Sequence, residues 1–380
     1  MPRFLFASDS FKGTISSPRA AELLADEAGK AFPDLVATCL EVADGGEGTV
    51  AAVVAATGGR LRTVEVRGPR GDAVEASYGL LPDGQAVIEM AAASGLPLLA
   101  PDERDPRFTS TFGTGELICD ALDQGAREIA LAIGGSATND GGMGCMCALG
   151  ARFLDAQGAE LAGTGSDLGR VAAIDLAGFD PRIAETHVRL MCDVDNPLLG
   201  ARGATHVFGP QKGATPELVE ELERGMETYA ELLVQTFPGF DPAAAGMGAA
   251  GGLGAAATAF LGAEALPGIE CVLDLVHFDT LLEGCDLCVT GEGHADAQSA
   301  HGKVVSGIAR RCRAAGVACV AIVGGMDADA RELLDLGVDA LVPTVIDICD
   351  LPDALAHAER NYRMAAERTF ALVRVGARLG

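Results

Sequence analysis

Lysine is rare in this sequence, and its lysines lie next to glycine. Of the 28 basic residues only four are lysines, and all four adjoin a glycine. Lys30 lies near the end of a predicted helix, and the other three, Lys12, Lys212 and Lys303, lie in loops or at a loop end. Lysine carries a compact charge on a flexible stem, which suits a phosphate oxygen, whereas the arginine that this chain otherwise uses is a planar fork. The pattern predicts that these ammonium groups bind a phosphate or carboxylate oxygen, with chance as the alternative for any single lysine.

The stretch IGGSATNDGGMG, from Ile133 to Gly144, predicts an anion-binding nest. It follows a short apolar run that is typical of a buried strand. Its five glycines allow successive amides to turn inward toward an anion. The candidate residues in this stretch are Gly134, Gly135, Ser136, Asn139 and Asp140. Taken alone, the stretch is also compatible with a long structural turn at a strand end.

Acids, hydroxyls and lysines beside glycine recur in six loops that follow predicted strands. Ligands of open parallel sheets lie at the carboxyl ends of the strands, so these loops could form one cleft for a polyphosphate and Mg²⁺. Asp193 and Asp195 are two residues apart in an extended segment, so both carboxylates can face the same way. That spacing suits a proton acceptor beside a metal ligand, although an Asx-type turn is an equal alternative.

The elements that must position these residues predict an α/β fold. β-loop-α units occupy both ends of the chain, with helices expected from Ser17, from Pro216 to about Thr236, and from Val304 to Ala315. Between Leu61 and Met90 short alternating runs separated by turns predict hairpins instead. This change suggests one domain inserted into another. No Walker A motif is present, and the G-x-G-x-x-G at Gly246 follows no strand, so standard nucleotide motifs do not settle the function.

Composition excludes several partners. A net charge of −26 without a strong basic patch argues against nucleic acid and against an anionic membrane. Residues 242–263 carry no charge, but their glycines would break a membrane-spanning helix. The odd number of cysteines, eleven, and the lack of a long apolar N-terminal core favour free thiols in a reducing cytoplasm. Core packing is the favoured interpretation of the single C-x-x-C, Cys285 and Cys288.

Seven motifs between residues 8 and 303 resemble, in order, those of the type I glycerate kinases: SDSFKGTISS, DGGEGT, IGGSATNDGGMG, CDVDNPLLG, FGPQKGA, GAAGGLGAA and TGEGHADAQSAHGK. The resemblance implies ATP- and Mg²⁺-dependent phosphorylation of D-glycerate, with 2-phosphoglycerate as the usual product. It also implies two α/β domains, one doubly wound and flavodoxin-like, inserted into a second domain built from both chain ends. We expect boundaries near 1–65 plus 278–380 and 66–277. The differences from the family pattern, at Ser8, His294 and Ala300, remove no carboxylate or lysine.

With this resemblance, each candidate residue receives an expected role. Asp193 is the expected base because it ends a strand beside a second carboxylate, and Lys12 and Lys212 are expected to hold the transferred phosphate or the glycerate carboxylate. The expected substrate- and phosphate-binding residues are Asp9, Ser10, Gly134, Gly135, Ser136, Asn139, Asp140, Asp195, Asn196 and Lys303. Nucleotide contacts are expected from Gly251, Gly252, Gly291 and Glu292, and metal contacts from Asp44, Glu47 and Asp296.

Two alternatives stay open at this point. A kinase of another small hydroxy acid or polyol would use the same residues, and a non-catalytic sensor of a nucleotide or of glycerate could keep the binding loops. The sequence also leaves open which hydroxyl of glycerate is phosphorylated, giving 2- or 3-phosphoglycerate, and whether the chain forms an oligomer.

Overall fold

The structure, a computed structural model, describes residues 1–11, 13–300, 302–347 and 349–379. Its strands are β1 (Arg3–Phe6), β2 (Val36–Cys39), β3 (Arg60–Arg67), β4 (Ala73–Leu80), β5 (Ala86–Glu89), β6 (Glu128–Ala132), β7 (Arg152–Asp155), β8 (Val171–Asp175), β9 (His187–Met191), β10 (Glu264–Leu266), β11 (Leu287–Ala295), β12 (Ala318–Met326) and β13 (Ala340–Pro343). Its α-helices are α1 (Ser17–Ala31), α2 (Thr49–Thr57), α3 (Ala91–Ser94), α4 (Phe112–Asp123), α5 (Met143–Ala148), α6 (Ala204–Phe208), α7 (Pro216–Thr236), α8 (Leu253–Leu261), α9 (Gly268–Leu275), α10 (Phe278–Leu282), α11 (Val304–Ala315), α12 (Glu332–Leu336), α13 (Leu351–Ala356) and α14 (Ala358–Gly376).

The chain divides into two compact units. One comprises Met1–Asp44 and Val272–Gly380, and the other comprises Gly45–Cys271. The first division falls earlier than the expected 65/66 boundary because β3 pairs with β4, and α2 packs against β4 and β5. The second division, at 271/272, lies six residues before the expected 277/278 boundary. The α/β class expected from the sequence is confirmed.

The unit built from the chain ends contains a wholly parallel sheet. Its strands lie in the order β13-β12-β11-β1-β2, and β1 pairs in parallel with both β2 and β11. Counted within this unit, the order is 2-1-3-4-5, the flavodoxin-like doubly wound order. The expected place of that order was the inserted segment, and this expectation is wrong: the order occurs in the unit formed by the chain ends.

Local sequence explains how this sheet is covered. Helix α1 begins after Ser16, whose hydroxyl accepts a hydrogen bond from the Arg19 amide, and proline lies in its first turn. Its apolar face packs with α14 over β1, where Phe4, Phe6 and Phe370 are buried together. The burial of large aromatic side chains is the main stabilising contribution to such a layer.

The inserted unit has a mixed sheet in the order β10-β9-β6-β5-β4-β3. Strands β10, β9, β6 and β5 are parallel, and the hairpins predicted between Leu61 and Met90 add β4 and β3 in antiparallel pairing. This unit does not have the doubly wound order, because its strands follow one another across the sheet in chain order, without a reversal. The carboxyl ends of β5, β6 and β9 lie at one edge of the sheet, where the polar loops begin.

Two expectations from composition can be compared with the structure. Within the described residues, no helix is long and apolar enough to cross a membrane. All eleven cysteines are free; Cys288 is buried in β11 and Cys285 is partly buried just before it, which agrees with core packing.

Candidate functional site

A cleft of about 230 Å³ lies at the carboxyl ends of β5 and β6 in the inserted unit. Its polar lining comes from Glu47 and Glu89, and the turn Gly134–Gly135 forms another part of its wall. Both glycines are exposed, and neither amide donates a hydrogen bond to another described residue. The structure therefore brings together a predicted anion-binding turn and a predicted metal ligand, Glu47.

Glu89 is a site residue that the sequence analysis did not identify. Its carboxylate accepts a hydrogen bond of 2.7 Å from the Val50 amide at the start of α2. Burial raises the pKa of Glu89, while amides of the same helix start lower it. An acid at a helix N-terminus is favoured by the helix dipole, so Glu89 fixes the loop that carries Glu47. Its sequence pattern, an acid at the end of an apolar strand, is the same pattern that identified Asp193 and could have identified Glu89.

The second half of the glycine-rich stretch is buried. The Asp140 carboxylate accepts hydrogen bonds from the amide and hydroxyl of Thr111, both 2.7 Å, and from the amides of Gly142 at 3.1 Å and Gly144 at 3.2 Å. Burial raises the pKa of Asp140, and these hydrogen bonds oppose that shift. Because these four donors come from the protein, Asp140 holds the loop together, and its expected substrate contact stays a prediction.

Lys212 is buried behind the same stretch. Its side chain is 1% exposed, and its ammonium donates a hydrogen bond of 2.6 Å to the Thr138 carbonyl. Burial lowers the pKa of Lys212 to about 7, and the nearby charge of Asp140 opposes the shift. In this structure the ammonium of Lys212 contacts the main chain, and its expected contact with a transferred phosphate stays a prediction.

Neighbouring Asn139 is also buried. Its amide nitrogen lies 3.2 Å from the Thr205 hydroxyl of α6. Its Oδ1, like the Thr138 hydroxyl, has no hydrogen-bond partner among the described residues. Ser136 is buried as well, so of the five predicted nest residues only Gly134 and Gly135 face the cleft.

The glycine loop before α8 packs against this stretch. Gly251 and Gly252 are buried with φ of 66° and 93°, and a Cβ at Gly251 would overlap the Thr138 carbonyl oxygen. Gly251 also accepts a hydrogen bond of 3.0 Å from the Gly141 amide. Close backbone packing therefore accounts for these glycines, and the expected nucleotide contact stays a prediction.

Asp193 and Asp195 follow β9 but have different partners. Asp193 accepts a hydrogen bond of 2.8 Å from the Gly268 amide at the start of α9. Asp195 lies 2.9 Å from the Arg202 guanidinium, and Asn196 donates to the Arg202 carbonyl at 2.7 Å. The two carboxylates thus do not form the pair that their spacing suggested, and Asp193 remains exposed.

The unit built from the chain ends holds a second group of predicted residues, after β1 and β11. The Asp9 amide donates to the Gly291 carbonyl at 2.8 Å, and the Ser10 amide donates to the Asp9 carboxylate at 2.6 Å. Glu292 follows Gly291 within β11. Asp44 closes the first segment of this unit, and Lys12 lies outside the described residues.

Glu292 combines burial with an unsatisfied oxygen. It is 6% exposed, and its Oε1 has no hydrogen-bond partner among the described residues. Burial raises the pKa of Glu292 to about 6; Lys303 lowers it, and Asp9 and Asp296 raise it further. The Lys303 ammonium lies 4.0 Å from the Asp296 carboxylate. The arrangement can accept a cation or a phosphate, because it holds both signs of charge around a poorly solvated carboxylate.

A dedicated metal cage is absent from the described residues, in which no three His, Cys, Asp or Glu side chains are grouped to hold an ion. Mg²⁺ in phosphoryl-transfer sites usually needs only one or two carboxylates, with phosphates and water as its other ligands. The unpartnered Oε1 of Glu292 fits that requirement.

Comparison with known proteins gives one consistent result. Residues 4–374 match the model of the glycerate kinase family. The chain is 42% identical over 374 residues to a glycerate kinase of Bacillus subtilis, covering 98% of both chains. It is also 42% identical to the glycerate 2-kinase of Escherichia coli, covering 99% of both. A crystal structure of a candidate glycerate kinase 2 from Salmonella typhimurium LT2 matches with a TM-score of 0.89 and 45% identity, covering 99% of both chains.

Proposed function

This chain belongs to the glycerate kinase family, a family of phosphotransferases, and on that premise we propose that it transfers the γ-phosphoryl group of ATP to D-glycerate. The proposed product is 2-phosphoglycerate, which the name of the Escherichia coli relative supports. The structural observation that carries the proposal is the buried Glu292, which lies near Asp296 and Lys303 and has one oxygen without a partner among the described residues. Positioned charge of both signs is the main requirement of phosphoryl transfer.

Mg²⁺ fits the proposal as a cofactor. Glu292 and Asp296 would hold it in the unit built from the chain ends; Asp44 and Glu47 remain the other predicted ligands. When bound, the ion supplies positive charge that neutralises phosphate oxygens. Lys303 supplies a further positive charge from the protein itself.

The protein's own residues provide the remaining parts of the reaction. The free amides of Gly134 and Gly135 can donate hydrogen bonds to an anionic oxygen. Asp193, exposed at the end of β9, is proposed to accept the proton of the reacting hydroxyl. Contacts of Asp9, Ser10, Gly291 and Lys12 with ATP or glycerate remain predictions.

The test is a coupled assay that detects ADP formed from ATP, Mg²⁺ and D-glycerate, followed by NMR identification of the phosphorylated carbon. We expect turnover with D-glycerate and a phosphate on the C2 hydroxyl. A phosphate on C3 would correct the product only, whereas a preference for another hydroxy acid or polyol would correct the substrate. Binding of ATP or glycerate without ADP formation would show a non-catalytic sensor. We place the reaction in the cytoplasm, in keeping with eleven free thiols.

Asp193→Asn tests the proposed base. We expect turnover to fall by roughly 100-fold or more with little change in KM, because the amide cannot accept the proton. The matched control is Asp102→Asn, since that exposed carboxylate lies in the same unit and is assigned no contact with ATP or glycerate. Retention of more than about a tenth of the native turnover by Asp193→Asn would remove Asp193 from the mechanism.

A further inference from the structure

The main chain that follows the exposed turn Gly134–Gly135 is held from several sides. The Ala137 amide donates to the Ser94 carbonyl at 2.9 Å, and the Thr109 hydroxyl donates to the Ala137 carbonyl at 3.1 Å. The next carbonyl along the chain, that of Thr138, accepts the Lys212 ammonium at 2.6 Å. Each of these contacts fixes the backbone two to four residues from the turn.

Lys212 is buried, and the turn that contains it packs closely against another segment of the unit. Its side chain is 1% exposed, and the next residue, Gly213, has φ of 99° and lies so close to the Arg104 carbonyl that a Cβ would overlap it. The turn is therefore packed against the rest of the unit. Burying an ammonium group is costly, and a chain that uses arginine almost everywhere keeps a lysine here.

The same short segment provides a second contact to this stretch. Helix α6 supplies Thr205, whose hydroxyl lies 3.2 Å from the Asn139 amide nitrogen, and the turn after it supplies Lys212. Residues 204–212 thus hold two consecutive residues, Thr138 and Asn139, by one side-chain contact each. The buried Thr138 hydroxyl and Asn139 Oδ1 have no hydrogen-bond partner among the described residues.

We propose that Lys212 is a positioning residue for phosphoryl transfer, which acts through the Thr138 carbonyl to hold the Gly134–Gly135 turn in its anion-binding form. The inference rests on the proposed function, and it assigns Lys212 no contact with ATP or glycerate. Positioning of this kind matters because a displacement of about 1 Å can cost roughly 100-fold in rate.

Because Lys212 can lose its charge, the proposal predicts that activity depends on pH. Burial lowers the pKa of this lysine to about 7, and the group that opposes the shift is Asp140. The other titratable groups around Asp140, which are Tyr229, Cys145 and Cys147, have pKa values raised by burial and stay neutral near pH 7. A charged donor makes a stronger hydrogen bond than a neutral amine, so the hold on Thr138 weakens as pH rises through about 7.

The experiment compares Lys212→Met with the native protein and with Lys30→Met, which makes the same change at an exposed lysine. Steady-state kinetics are measured from pH 6 to 9, and hydrogen exchange of residues 133–142 is measured without substrate. We expect Lys212→Met to lose roughly 10- to 100-fold in kcat/KM. The activity of Lys212→Met should no longer decline above pH 7. Its backbone amides in residues 133–142 should exchange hydrogen faster than those of the native protein. Lys30→Met should match the native protein in all three.

Thr205→Val provides a second variant in case Lys212→Met does not fold. It removes the partner of Asn139 and should speed exchange over the same residues, with a smaller loss of kcat/KM. Unchanged exchange and kinetics in either folded variant would overturn the inference. Rescue of Lys212→Met by a small added alkylammonium ion would also overturn it, because that result indicates a solvent-reachable contact with phosphate. If the native protein lacks turnover, the proposed function fails, while the exchange measurement still tests whether Lys212 holds the turn.

Discussion

Two loops of this protein carry the same kind of sequence and differ in how their acids are satisfied. In the inserted unit, the stretch Ser136–Asp140 ends in a carboxylate that is buried and accepts four hydrogen bonds. In the unit built from the chain ends, Gly291–Lys303 begins with Glu292, which is also buried but keeps one carboxylate oxygen unpartnered among the described residues. Both segments place an acid beside glycine, Asp140 in the loop after β6 and Glu292 within the last part of β11.

The difference separates an acid that stabilises the fold from an acid that can bind a ligand. Buried polar groups are normally hydrogen-bonded, so an unsatisfied one is a stability cost that needs a reason. Asp140 has its donors in place, and its loss should mainly destabilise the fold. For Oε1 of Glu292 the described part of the chain provides no donor, so the loss of Glu292 should mainly reduce activity. The following substitutions test this contrast.

Asp140→Ala should have the largest effect on stability. It leaves several buried donors without an acceptor, each costing about 1–3 kcal/mol, so we expect a loss of at least about 3 kcal/mol in unfolding free energy. Chemical denaturation followed by circular dichroism measures it. The control Asp102→Ala removes an exposed acid of the same unit and should change stability by less than about 0.5 kcal/mol. If Asp140→Ala kept its stability and lost only activity, Asp140 would be a ligand-binding acid, as proposed for Glu292.

Gly251→Ala should have the next largest effect. Positive φ and overlap with the Thr138 carbonyl together should cost about 2–4 kcal/mol. Gly262→Ala is the matched control: its φ is also positive, 60°, but a Cβ there meets no atom within 4 Å, so about 1 kcal/mol is expected. The KM for ATP should stay unchanged in both variants. A raised KM for ATP with native stability in Gly251→Ala would instead restore the nucleotide contact predicted from the sequence.

Glu292→Gln should have the smallest effect on stability, and in the opposite direction. Burial raises the folded-state pKa of Glu292 from 4.5 to about 6, so between these values the folded state binds more protons than the unfolded state. Stability therefore falls as pH rises through this window, and the neutral glutamine should be more stable by about 1–2 kcal/mol at pH 7.

Glu292→Gln should lower activity, although it raises stability. Turnover of the native protein should rise as Glu292 ionises through about pH 6, whereas Glu292→Gln should lose that rise and roughly tenfold or more of its activity at pH 7. Glu367→Gln, an exposed change in the same unit, should alter neither property. Lower stability together with native turnover in Glu292→Gln would place Glu292 among the structural acids.

Local sequence predicted the elements well where a single pattern decides them. Helices α7 and α11 have the predicted bounds, Pro216–Thr236 and Val304–Ala315, because their caps and apolar periodicity are local. The hairpins after Leu61 are confirmed for the same reason. The placement of the doubly wound sheet was wrong, because β1 pairs with β11 across most of the chain and no local pattern records that pairing.

The sequence by itself determined which chemical groups this protein has and the family to which it belongs. Ordered motifs, glycine-rich strand ends and the few lysines, each beside a glycine, were readable from residue types and spacing. Only the tertiary structure decided which groups are satisfied: Asp140 takes hydrogen bonds from Thr111, 29 residues away, and Lys212 reaches the Thr138 carbonyl, 74 residues away. The physical reason is that satisfying a buried polar group depends on donors and acceptors from distant segments, which local residue patterns do not reveal.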